Sequence, residues 1–150
     1  MQDYRLRLFS ILSFLTAIGI LVIHGMLIAQ TSSLATALQG SWTVVAAQHE
    51  GKPMEGLNGG VLTVTGERFE IHTAGGSELK GKLRWDTDKT PQEMDLQHDS
   101  GMLWLAIFEV QGDVFKLNYL DSSTKEKRPQ SFRTATGSEA SLVVLKRTSK

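Results

Sequence analysis

Gly76-Ser77-Glu78-Leu79-Lys80-Gly81-Lys82 has the G-x-x-x-x-G-K spacing that cradles nucleotide phosphates. That chemistry needs a Ser or Thr after the lysine to hold magnesium, and Leu83 stands there. It also needs a strand-to-helix junction, whereas these residues lie in a turn and an alternating strand. The stretch reads as a hairpin. Asp86-Thr87-Asp88 opens like a calcium loop, which requires glycine at its sixth position. Pro91 occupies that position, so short acidic residues solvating a turn give the better account. His49, His72 and His98 offer three imidazoles, but no pair has the i,i+2 or i,i+4 spacing that sets two metal ligands on one face. Each falls on a polar phase or a strand end and reads as a surface histidine. Ser, His and Asp all occur, yet no nucleophile elbow supports a triad. These residues name no catalytic group, metal or cofactor, and the chain is expected not to be an enzyme.

Two features point to binding instead. Lys80, Lys82 and Arg84 form a basic stripe on one strand face, and Arg128 and Arg133 extend a positive surface that could dock an acidic partner. Charges of this kind also guard a sheet against edge-to-edge aggregation. Sixteen basic and sixteen acidic side chains cancel over the whole chain. From residue 38 onward, leaving out Arg5, Arg7 and Asp3 gives 14 basic against 15 acidic residues, a net charge of −1. That balance argues against nucleic acid as a partner. The second feature is a set of large apolar side chains, Phe69, Ile71, Leu83, Trp85, Trp104, Phe115, Leu117 and Tyr119, which could line a ligand cavity.

The elements that would position these side chains are strands. "ELKGKLRWD" sets Leu79, Gly81, Leu83 and Trp85 on one face against Lys80, Lys82 and Arg84 on the other. "RFEIH", "EMDLQ" and "VFKLNY" alternate in the same way, which gives Phe69, Ile71, Phe115, Leu117 and Tyr119 the inward phase. "MLWLAIFEV" is apolar on both faces, as in a strand covered on both sides. Turn signals at 58–60, 75–76, 90–91, 111–113 and 136–137 separate the runs. Strands are expected near 41–49, 61–65, 67–73, 78–86, 92–98, 102–110, 113–120, 129–133 and 141–147. Eight or nine short antiparallel strands with tight turns suit an up-and-down barrel. With about 110 residues, its lumen should be small or partly filled by its own side chains.

Residues 1–37 read as an address. Arg5 and Arg7 precede an uncharged run from Leu8 to Gln30, long enough to span a bilayer as a hydrophobic helix. The positive-inside rule then sends residues 38–150 across the membrane. Small-x-small sites at Ser33-Leu34-Ala35 and Ala35-Thr36-Ala37 suit signal peptidase, so a cleaved signal peptide and a retained transmembrane anchor both remain open. Either outcome places the domain in the periplasm or cell envelope, secreted or tethered. The chain has no cysteine, which excludes disulfides, thiolate-bound metals, thiol catalysis and an acylated lipoprotein anchor.

Gly40-Ser41-Trp42 on the first strand resembles the opening signature of lipocalins and related calycin barrels. The resemblance implies that Trp42 closes one barrel end under a basic side chain of the last strand, Arg147 or Lys146. A closer resemblance covers nearly all of residues 38–147, to a bacterial lipocalin-like family of unknown function found in exported and membrane-tethered proteins. It is carried by "LQGSWTVV", "EGKPM", "GERFEI", "TDKTPQEMDL", "FEVQGDVFKLNY", "KRPQSF" and "LVVLKR", in order and spacing. This chain departs at Ala106-Ile107-Phe108, where that family usually has Gly-Ile-Tyr. The resemblance implies an all-β, lipocalin-like fold of eight or nine strands. The functional expectation is binding of a small apolar or amphipathic ligand in the lumen. The alternative is an envelope protein-interaction or structural module whose barrel is filled.

Overall fold

Alternating polarity along short runs, cut by glycine turns, leaves each run one apolar face to bury, and sheet closure buries all of them together. The computed structural model describes residues 34–124 and 127–148. Among them run β1 (Gly40–His49), β2 (Lys52–Pro53), β3 (Val61–Thr65), β4 (Arg68–His72), β5 (Glu78–Asp86), β6 (Gln92–His98), β7 (Leu103–Gln111), β8 (Val114–Asp121) and β9 (Ser141–Arg147). From β3 to β9 each strand pairs antiparallel with the next, and β1 pairs with both β3 and β9. Eight strands therefore close into an antiparallel barrel. The two-residue β2 is an extra strand folded back on β1 through Glu50 and Gly51, both at positive φ as a tight hairpin demands. Chain contacts set off Ala37–Lys150 as one unit, close to the expected start at residue 38. The Leu8–Gln30 run lies outside the described residues, and among those no helix is long and apolar enough to cross a membrane.

The expected strand at 129–133 does not form. Residues 127–140 run instead as an irregular strap over the outside of the barrel. Arg128 donates to the carbonyls of Met94 and Ala106 and pairs with Glu93 and Asp95. Asn118 Nδ2 donates to the carbonyls of Ser131 (2.7 Å) and Arg133 (3.2 Å). The strap explains why Ile107, Asn118 and Leu120 are buried although they point outward from their strands. Arg128 is thus not a free surface charge but the pin of this strap.

Inside, two regions stack along the barrel axis. At the closed end Leu38, Trp42, Phe108, Phe115 and Met94 are all buried and leave no lumen. Arg147 lies over the Trp42 ring at 4.1 Å, a cation–π contact. Gly40 sits at φ +105°, in the left-handed region, and a Cβ there would meet the Arg147 guanidinium at 3.4 Å. The other end is the mouth. A register shift between Val44 and Ala46 flips the phase of β1 there, so Val45 is exposed and Ala47 turns inward. The 3-10 turn Glu55–Leu57 fills the gap beside this bulge.

Candidate functional site

The mouth holds an apolar cavity of about 150 Å³, partly open to solvent. Val44, Leu62, Ile71, Leu79, Leu117, Val143 and Leu145 line it from the strands, and Leu57 lines it from the 3-10 turn. Trp104 and Tyr119 form one wall, stacked with ring centroids 4.3 Å apart and 25° between planes. Of the eight side chains expected to line a lumen, Ile71, Trp104, Leu117 and Tyr119 do so. Phe69, Leu83 and Phe115 point inward as expected but are consumed in the packed core. Trp85 lies at the far end of β5, half-buried beside Glu93, Asp95 and Arg128. Alternation reveals which face of a strand points inward but not how far along the axis each residue sits. For that reason Leu62, Leu79, Val143 and Leu145 were not singled out.

A polar row borders the cavity. Tyr119, Ser141 and His49 are cross-strand neighbours on β8, β9 and β1. The Ser141 hydroxyl lies 3.1 Å from His49 Nδ1 and also bonds the Tyr119 phenol. Burial pushes the Tyr119 phenol above its ordinary value, and the Ser141 bond offsets part of that rise. The phenol therefore stays protonated across the physiological range. No Lys, Arg, Asp or Glu lines the cavity.

The histidines correct the sequence reading in part. His72 is a surface residue, bonded to Glu70 at 2.6 Å. His49 is half-buried in the polar row. His98 is 3% exposed, wedged edge-on between Phe69 (5.1 Å) and Trp104 (4.3 Å), and neither ring nitrogen has a hydrogen-bond partner. It sits on the inward phase of β6 with Met94 and Leu96, a placement that "EMDLQHD" shows once the alternation is carried two residues further. Burial lowers its pKa below 6.5, with Asp121 and Asp99 opposing.

The sign of the pH effect follows. As pH falls, the unfolded chain takes up this proton before the folded one, so stability is full above pH 6.5 and declines below it. Urea unfolding at pH 7.5 and 5.5 is expected to show that loss, with a slope of up to about 1.4 kcal/mol per pH unit. His98→Leu should flatten it. An equal pH dependence in both proteins would remove His98 from the account.

The other candidate chemistries resolve into surface electrostatics. Glu70, His72 and Glu78 bring ligand-type atoms within 4.8 Å of one another, the one such group among the described residues. The Lys80 ammonium already pairs with Glu78 and lies 3.6 Å from Glu70, where a metal cation would have to compete with it. The G-x-x-x-x-G-K stretch occupies the turn and strand β5, with no helix after it. Lys80, Lys82 and Arg84 are exposed on the outer face as expected, and Lys80 is matched by its acidic neighbours.

Together these observations define a closed eight-stranded antiparallel barrel, plugged at one end and carrying a small apolar cavity at the other. No family model matches the chain, and no curated protein matches it.

Proposed function

We propose that the protein is an extracytoplasmic, lipocalin-like binder of a small apolar or amphipathic molecule, and that it acts without catalysis. The observation that carries this reading is the mouth cavity, with its hydrocarbon walls and aromatic side. Ligand sites concentrate in such concave apolar spaces with few polar groups. Gly40-x-Trp42 beneath Arg147 supports the lipocalin-like kinship, and the charge asymmetry of Arg5 and Arg7 before Leu8–Gln30 supports export. Size sets the scale of the ligand. Drug-sized sites run to roughly 300–1,000 Å³, whereas a hydrocarbon-lined space of about 150 Å³ matches one benzene ring. A long acyl chain would have to project through the mouth.

The second reading, a protein-interaction module, draws on the closed end, where Trp42, Phe108, Phe115, Leu83 and Met94 fill the barrel completely. Benzene titration followed through the methyl resonances of Val143 and Leu145 separates the two. Saturable shifts are expected, and Val143→Phe should weaken binding at least tenfold while the protein stays folded. Absence of saturable binding to the folded protein would hand the function to the interaction module.

A further inference from the structure

Resting on that reading, we propose that the ligand is a neutral monocyclic phenol or a close analogue. Its ring would lie against the Trp104–Tyr119 wall, and its single polar substituent would bond the Tyr119 hydroxyl.

Three independent features converge on this class. The volume admits one ring and little more. The stacked Trp104–Tyr119 pair offers an extended π surface, which favours a flat aromatic partner over a saturated ring of equal size. The remaining walls, Leu62, Ile71, Leu117 and Val143 among them, reward apolar area alone.

The polar end is set by the Tyr119–Ser141–His49 row. A hydroxyl can donate or accept, and either imidazole nitrogen can do the same according to tautomer. If Ser141 donates to His49, the Tyr119 proton turns to Ser141, and the phenol oxygen is left to accept from a ligand. If His49 donates to Ser141 and Ser141 to Tyr119, the phenol proton is free for a ligand acceptor. The row thus answers one hydroxyl-type group in either sense, and a phenolic substituent offers both a donor and an acceptor. A carboxylate or an ammonium would enter a space with no opposite charge on its walls and would lose its hydration uncompensated. Charged aromatics are excluded on that ground.

The test compares phenol, benzene and cyclohexanol on the full chain, with Tyr119→Phe and Ser141→Ala as variants. A purely apolar cavity prefers benzene, because phenol is better hydrated. The proposal instead expects phenol to bind about tenfold more tightly than benzene, and more tightly than cyclohexanol. Tyr119→Phe should reverse the phenol–benzene order while leaving benzene affinity within about twofold, and Ser141→Ala should narrow the gap. Benzene binding equal to or tighter than phenol in the native chain would overturn the proposal while leaving the apolar-binding function standing. So would a phenol preference that survives Tyr119→Phe. Cyclohexanol matching phenol would overturn the aromatic assignment. Failure of all three to bind would overturn this proposal and the function beneath it together.

Discussion

Trp42→Ala is expected to cost the folded protein about 3–5 kcal/mol, the range for removing a fully buried large aromatic ring. Trp42 has no exposed surface. Its ring meets the Phe115 edge at 5.4 Å and lies under the Arg147 guanidinium, and its Nε1 donates to the Leu38 carbonyl at 3.0 Å. Arg147 is held in turn by the carbonyls of Gln39 (2.9 Å) and Ala37 (2.8 Å) and by Asp113. The indole is therefore the floor on which the guanidinium rests, and the guanidinium ties the chain entering β1 to the end of β9. Alanine removes the floor, leaves the Leu38 carbonyl short of a partner and opens a void that the rigid strand pairs cannot collapse to fill. The cation–π contact alone is worth up to about 2 kcal/mol where it is desolvated. Urea unfolding followed by far-ultraviolet circular dichroism reads the effect without relying on tryptophan emission. A loss below about 1 kcal/mol would show that the barrel end is closed by something other than this stack. Benzene binding at the distant mouth should survive in the fraction that remains folded.

Much of this architecture was legible because a barrel enforces period-2 alternation strand by strand. Leu79, Leu83 and Trp85 against Lys80, Lys82 and Arg84 gave β5 its faces, and Phe115, Leu117 and Tyr119 gave β8 its own. Three things escaped, each for a reason that lies beyond a local window. The β1 bulge changes phase within "TVVAAQ", where every residue but one is apolar or small, so no polarity contrast records the slip. The strap at 127–140 reads as a strand in part because Ser131-Phe132-Arg133 alternates, yet its hydrogen bonds go to Asn118 rather than to a neighbouring strand. The side chains it covers, Ile107, Asn118 and Leu120, sit on outward phases that alternation alone assigns to solvent. The site was half legible. Ile71, Trp104, Leu117 and Tyr119 reach the cavity, while Phe69, Leu83 and Phe115 share their phase but lie deeper, because strand tilt and stagger set depth. His98 was misread for a simpler reason. An imidazole at a strand end looks polar, and only the tertiary fold sets it between Phe69 and Trp104.

Gly81→Ala is expected to cost roughly 3 kcal/mol, at the upper end of what one added methyl group in a packed interior does. The reason is space, not backbone conformation. Gly81 is buried on β5, paired with Phe69 on one side and His98 on the other. A Cβ built there would stand 2.1 Å from the Gln97 carbonyl oxygen and 2.7 Å from Phe69 Cε1. The phenyl ring can swing aside, but the carbonyl belongs to β6 and can retreat only by spreading the β5–β6 pair. Glycine in a strand interior commonly marks such a close approach of another backbone, and here the Phe69 ring covers the bare position. Retreat of Gln97 would carry His98 with it, and His98 packs against Trp104 on the cavity wall. One methyl group at Gly81 is therefore expected to weaken benzene binding in the molecules that still fold, although Gly81 does not line the cavity. Lys82→Ala, one residue on and exposed, serves as the control and should change stability by less than about 0.5 kcal/mol. A urea midpoint for Gly81→Ala equal to that of Lys82→Ala would mean that β6 yields freely at Gln97. The link from β5 through His98 to the ligand wall would then be broken.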